Sequence, residues 1–116
     1  MIDRRRLLLG TAALLGSAGP AGAQGPFPQS TVTFIVAASA GSGGDIVARL
    51  VAERMRDDLG QTIVVENRPG AAGNIGAAYV ARAPKDGYTI LLTAGALAIA
   101  PSVYEKLPYD PLKDLA

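Results

Sequence analysis

Thr31 to Ala37 reads TVTFIVA, Ala38 to Gly44 reads ASAGSGG, and Asp45 to Leu59 reads DIVARLVAERMRDDL. The first run is β-branched and aromatic, the composition of a strand. The second is a loop of small residues with glycine at 41, 43 and 44. In the third, Ile46, Val47, Leu50, Val51, Met55 and Leu59 recur at steps of three and four. That spacing predicts a helix with one apolar stripe against the core, and Arg49, Glu53, Arg56 and Asp57 on the other side. Asp45 suits the helix N-terminus and Gly60 the position just past its end. The unit is therefore strand, glycine loop, helix.

The pattern repeats outward. Thr62 to Glu66 (TIVVE) is a second strand, and Asn67 to Gly73 (NRPGAAG) a turn-rich loop. Asn74 to Ala83 reads as a helix whose Gly76, Ala77 and Ala78 allow close approach to a sheet. Pro84 to Gly87 is a turn. Tyr88 to Thr93 (YTILLT) is a third strand, and Ala94 to Ala96 another small-residue loop. Pro101 to Lys106 is expected as a short helix. Gln24 to Gln29 is expected as an extended leader, and Leu107 to Ala116 as irregular. Strands alternating with helices imply parallel pairing through right-handed crossovers. Apolar runs without polar alternation imply strands buried on both faces. The expected fold is α/β, a three-layer sandwich built as β-α-β-α-β.

Residues 1–23 carry the features of a secretory signal: Arg4, Arg5 and Arg6, then apolar Leu7 to Leu15, then the small-residue site Ala21-Gly22-Ala23. Glycines and Pro20 interrupt the apolar stretch, which is too short to cross about 30 Å of hydrocarbon. Arg4-Arg5-Arg6-Leu7-Leu8 fits a twin-arginine signal and an ordinary Sec signal equally. The expectation is export to a bacterial periplasm with cleavage near Ala23, leaving 24–116 as the folded part.

Composition narrows the chemistry. The 116 residues contain no His and no Cys. Disulfides, structural zinc and a His-based triad within the chain are thereby excluded. A net charge of +1 and 5% aromatic residues give neither a basic field nor stacking platforms for nucleic acid. No metal or cofactor is expected. Gly41-Ser42-Gly43-Gly44 between a strand and a helix offers unpaired backbone amides at the positive end of a helix dipole. Such a place binds anions without Lys or Arg, or is simply a tight turn. Gly41-Ser42-Gly43-Gly44-Asp45-Ile46 departs from the dinucleotide pattern, because Ile46 stands where Gly or Ala is needed. No P-loop is present. Ala37-Ala38-Ser39-Ala40-Gly41 is a relaxed hydrolase elbow, but no His serves Ser39 as base. A second polar concentration, Glu66-Asn67-Arg68-Pro69-Gly70, either pairs locally or faces the same carboxyl edge of the sheet as the first loop.

Several stretches resemble the periplasmic substrate-binding proteins of tripartite tricarboxylate transporters, the Bug/TctC family. Asp45-Ile46-Val47-Ala48-Arg49 follows a glycine-rich loop, as in that family. Val65 to Gly76 is close to its V-E-N-R-P-G-A-G-G-N-I-G. Asp86-Gly87-Tyr88-Thr89 and Ala100-Pro101-Ser102-Val103-Tyr104 through Leu107-Pro108-Tyr109-Asp110-Pro111 continue the likeness. Where family members often read Pro-Phe-x-Pro-Gly-Gly, this chain has Ala37 to Ser42 without Phe or Pro.

The resemblance implies a two-lobe Venus flytrap that takes a small carboxylate between its lobes, held by backbone amides and water. It also implies membrane transporter subunits as partners and no catalysis. Carried over, the ligand-binding candidates are Ala40, Gly41, Ser42, Gly43, Gly44 and Asp45, with Thr93, Ala94, Gly95 and Ala96. Ser42 and Thr93 would act as side-chain donors. Asn67, Gly73 and Asn74 are secondary candidates for lining the cleft. Full-length members are several-fold longer, so the chain is expected to be the truncated beginning of the first lobe. The competing expectations are a hydrolase-like fragment using Ser39 and a truncated product without function.

Overall fold

The computed structural model describes residues 25–115; the expected signal and cleavage site, together with Gln24 and Ala116, lie outside them. Three parallel strands, β1 (Val32–Val36), β2 (Ile63–Asn67) and β3 (Thr89–Leu92), form one sheet in the order β2-β1-β3. Val32 to Val36 pair with Ile63 to Asn67 on one side, and Thr33 to Val36 with Thr89 to Leu92 on the other. Helices α1 (Gly43–Leu59), α2 (Asn74–Arg82) and α3 (Ala96–Val103) complete the unit, with a 3₁₀ turn at Ala71–Gly73 before α2. Among the described residues no helix is long and apolar enough to cross a membrane.

The pleat sends alternate residues to opposite faces. Val32 and Phe34 pack with Ala52 of α1, joined by Ile63, Val65, Ile90 and Leu92. Leu91 lies on the other face, against Ala77 and Ala78 of α2, Leu97 of α3 and Tyr109. The three-layer α/β arrangement is thus present. Burial on both faces holds only for β1, where Val32, Ile35 and Val36 are at most 1% exposed. The edge strands β2 and β3 are mainly half-buried.

Helix α1 corrects part of the expected stripe: Met55 packs against the core as expected, but the earlier residues do not. Its buried residues are Asp45, Ala48 and Ala52, whereas Ile46, Val47 and Leu50 are 54–59% exposed. The small Ala48 and Ala52 side chains let the helix axis approach the sheet. Asp45 is bonded on this same inward face, to Gly41 and to Asn67 of β2. The ends of α1 follow sequence chemistry: Ser42 is the N-cap and accepts from the Asp45 amide, and Gly60 closes the helix at φ 65°.

Two other boundaries differ. α3 starts at Ala96 and contains Pro101, rather than starting there. Packing of Leu97 and buried Ala100 outweighs the preference of proline for a first turn. The segment after Leu107 includes a core residue, Tyr109, whose hydroxyl donates to Asn74 Oδ1 at 2.6 Å; burial pushes its phenol pKa up.

The turn before α2 holds four successive residues at positive φ: Gly70 (118°), Ala71 (47°), Ala72 (54°) and Gly73 (90°). An L-residue there costs about 1–2 kcal/mol. Ala72 stands where the family motif quoted above carries glycine. Ala72→Gly is expected to stabilise the protein by about 0.5–1 kcal/mol, strain relief less the added freedom of the unfolded chain. Urea unfolding measures this as a higher midpoint at unchanged slope.

Candidate functional site

The chain leaves β1 toward α1 on one face and leaves β3 toward α3 on the other. Because β1 and β3 are neighbours, the two exits open a crevice at their carboxyl ends. In open α/β sheets such a switch point is where ligands sit. The two loops start side by side, with the Ala37 amide donating to Leu92 O at 2.9 Å.

Glycine lets a third element approach. At Gly76 an added Cβ would lie 3.1 Å from both Ala37 Cβ and Arg68 O. At Gly73 it would lie 3.2 Å from Thr93 Oγ1 and 3.3 Å from Ala37 Cβ. The start of α2 therefore abuts the crevice between the β1 and β3 loops.

The sequence candidates separate into two groups by what their polar atoms already do. The Gly41 amide donates to Asp45 Oδ2 at 2.8 Å, and the Ser42 amide to Ser39 O at 3.1 Å. These two amides already have acceptors inside the loop. Ser39 sits in a turn. Among the described residues, no acceptor lies against the amides of Ala40, Gly43, Gly44, Thr93, Ala94, Gly95 or Ala96. Ala40, Gly43, Gly44, Thr93, Ala94 and Gly95 are exposed. A side-chain β-carbon built on Gly43 or Gly95 would meet nothing within 4 Å, so both stand over open space.

Asp45 belongs to the loop's interior. It is 3% exposed, and its carboxylate accepts from the Gly41 amide, from Arg49 Nε at 3.1 Å to both oxygens, and from Asn67 Nδ2 at 2.9 Å. Asn67 Nδ2 also reaches Ala38 O at 3.1 Å, and Asn67 Oδ1 accepts from Arg49 Nη2 at 3.2 Å. The polar atoms of Asp45 and Asn67 are thus engaged with the protein. Asn74 is buried with its Oδ1 held by Tyr109, so it braces α2 instead of presenting that oxygen to the cleft. Arg68 pairs with Glu66 at 2.6 Å and stacks on the Tyr79 ring at 3.7 Å, the local pairing that is one of the two alternatives for that loop.

The Gly41 amide, foremost, then Arg49 and Asn67, hold the Asp45 pKa down to about 2. A depressed carboxylate pKa stabilises the fold above the unfolded value and ceases to do so as pH falls through the folded one. The Asp45 contribution is therefore complete above about pH 4 and lost toward pH 2. Acid unfolding of wild type and Asp45→Asn is expected to show a stability gap at neutral pH that closes over this interval.

No Lys or Arg lies within either crevice loop. An anion there would meet neutral amides, the hydroxyls of Ser42 and Thr93, and the positive end of α1. A concavity of about 510 Å³ along the outer edge of β3 reaches this crevice at Thr93 and Leu97. Among the described residues no cluster of His, Cys, Asp and Glu suits a metal ion.

A parallel sheet covered on both faces, with unpaired amides at its switch point, is an arrangement found in ligand-binding α/β proteins. Residues 47–116 match the family model of the tripartite tricarboxylate transporter family receptor. A UPF0065 protein of Bordetella bronchiseptica is 46% identical over 111 residues, covering 95% of this chain and 33% of its own length. Among solved structures, the periplasmic binding protein BugD superposes with TM-score 0.72 at 46% identity, over 76% of this chain and 29% of its own. A Rhodopseudomonas palustris protein with adipate gives 0.70 at 39%, over 75% and 29%. MatC of Rhodopseudomonas palustris, with bound malate, gives 0.63 at 40%, over 76% and 30%. The chain belongs to the TctC/Bug family of periplasmic solute-binding proteins, and it spans about a third of the length of the curated relatives it matches. These likenesses give no support to the hydrolase alternative.

Proposed function

We propose that this chain supplies one wall of a carboxylate-binding cleft. One carboxylate of a small dicarboxylic acid would be held by the amides of Gly43 and Gly44 and of Ala94 to Ala96, with Ser42 and Thr93 hydroxyls as further donors. Ala40 and Gly73 border the cleft. The observation that carries this reading is the presence of unpaired amides at two adjacent strand exits, with no acceptor among the described residues against them. Neutral donors suit reversible capture, since a released carboxylate leaves no buried cation unpaired.

Malate in MatC and adipate in the second Rhodopseudomonas palustris protein support a dicarboxylate as the solute class. The family supports delivery to membrane subunits of a tripartite tricarboxylate transporter, a periplasmic location with residues 1–23 as export signal and 24–116 as part of a first lobe, and transport without catalysis.

The test is thermal unfolding of the whole chain with malate, adipate and chloride. A ligand that binds only the folded state at about 100 times its Kd stabilises it by about 2.7 kcal/mol. The unfolding midpoint should then rise by roughly 10 °C or more with malate or adipate. An unchanged midpoint in a folded sample would refute binding by this chain.

A further inference from the structure

We infer that Asp45 is a positioning residue, which with Arg49 and Asn67 clamps the glycine loop to the end of β2 and turns the Gly43 and Gly44 amides outward. The inference rests on the carboxylate-cleft reading and adds the group that shapes one wall of that cleft. A carboxylate this close to an anion site would ordinarily repel the ligand. Its burial at 3% exposure is tolerable only because it is bonded, here by Gly41 of the loop, Arg49 one turn on along α1 and Asn67 at the end of β2. The Gly41 bond pulls the loop back at φ 80°, a conformation open to glycine. The Asn67 amide bonds both Asp45 Oδ1 and Ala38 O, so one side chain at the end of β2 holds both ends of the loop. Arg49 spans the two carboxylate oxygens and Asn67 Oδ1, which offsets the negative charge and keeps the asparagine amide in that orientation.

With Gly41 and Ser42 amides turned inward, Gly43 and Gly44 are the next donors at the start of α1. Three donors converge on the Asp45 carboxylate. A carboxamide has one acceptor oxygen, and its NH₂ would oppose at least one of those donors. Asp45→Asn therefore releases part of the clamp while conserving shape. Asn67→Ala releases it from the other side.

The test measures malate affinity of the whole chain and the backbone amide NMR shifts, at a temperature where circular dichroism shows each variant folded. Asp45→Asn is expected to weaken malate binding about tenfold, the loss of a hydrogen bond to a charged group. Asn67→Ala should weaken it in the same direction, and the double variant should bind no worse than Asp45→Asn alone, since both act through one clamp. The Gly41, Gly43 and Gly44 amide shifts should move in both variants before ligand is added. Arg54→Gln, an exposed charge elsewhere on α1, should leave affinity and shifts unchanged. If Asp45→Asn does not fold, Asn67→Ala carries the same comparison. Wild-type affinity with unmoved Gly43 and Gly44 shifts in a folded variant would overturn the positioning role. If the wild type does not bind malate, the cleft reading fails, and the amide shifts alone still decide whether Asp45 sets the loop.

Discussion

Ile35→Ala is expected to cost about 2–5 kcal/mol, enough to leave much of the chain unfolded at 37 °C. Ile35 is 0% exposed at the centre of β1, between Glu66 of β2 and Leu91 of β3 in register. Removing its branched chain opens a void where sheet and helices meet, and the central strand has no freedom to collapse into it. The informative comparison is Leu50→Ala. Leu50 is also a large aliphatic residue at an expected core position, yet it is 59% exposed on α1. Its truncation should change stability by no more than about 0.5 kcal/mol. Denaturant unfolding of the pair reads the orientation of α1 directly. Equal losses would mean that the Ile46, Val47, Leu50 and Val51 side faces the sheet.

The second large effect is expected at Gly73. Valine there would take a φ of 90° and put its Cβ 3.2 Å from Thr93 Oγ1 and 3.3 Å from Ala37 Cβ. Backbone strain costs about 1–2 kcal/mol and more for a β-branched residue. Displacing two strand exits adds about 1–3 kcal/mol. Gly60→Val is the control, because Gly60 is also at positive φ, 65°, but nothing lies within 4 Å of its added Cβ. It should show the strain alone. The difference between the two variants isolates the close approach of α2 to the crevice, and it should appear as weaker malate binding as well as lower stability. Equal stabilities would mean that Gly73 is required only for its backbone angle.

The order of elements was legible because each strand is a continuous apolar run bounded by small or turn residues, as TVTFIVA before ASAGSGG illustrates. The two crevice loops were legible for the same reason. Once strands and helices alternate, the strand exits share an edge. The face of α1 was not legible. Its spacing favours Ile46, Val47, Leu50 and Val51, while the buried face carries Ala48, Ala52 and Asp45, which bonds Asn67, 22 residues away. Tyr109 was missed as core because its partner, Asn74, lies 35 residues upstream in a segment that reads as helix on its own. The start of α3 was hidden by Pro101, whose local preference is outweighed by the packing of Leu97. Within the site, the sequence located the loop but not which amides it spends. That division depends on a side chain, Asp45, whose charge alone would argue against an anion nearby. An aspartate three residues after an N-cap serine, with arginine four residues on and asparagine closing the next strand, is the pattern that would have signalled the clamp.

The cleft reading stands most directly on which amides respond to a dicarboxylate. Titration of the whole chain with malate, followed by backbone amide NMR, is predicted to give saturable shifts at Gly43, Gly44, Ala94, Gly95 and Ala96. The Gly41 amide, bonded to Asp45, should move little. Shifts confined to other surfaces, or no saturable shift in a folded sample, would contradict the account.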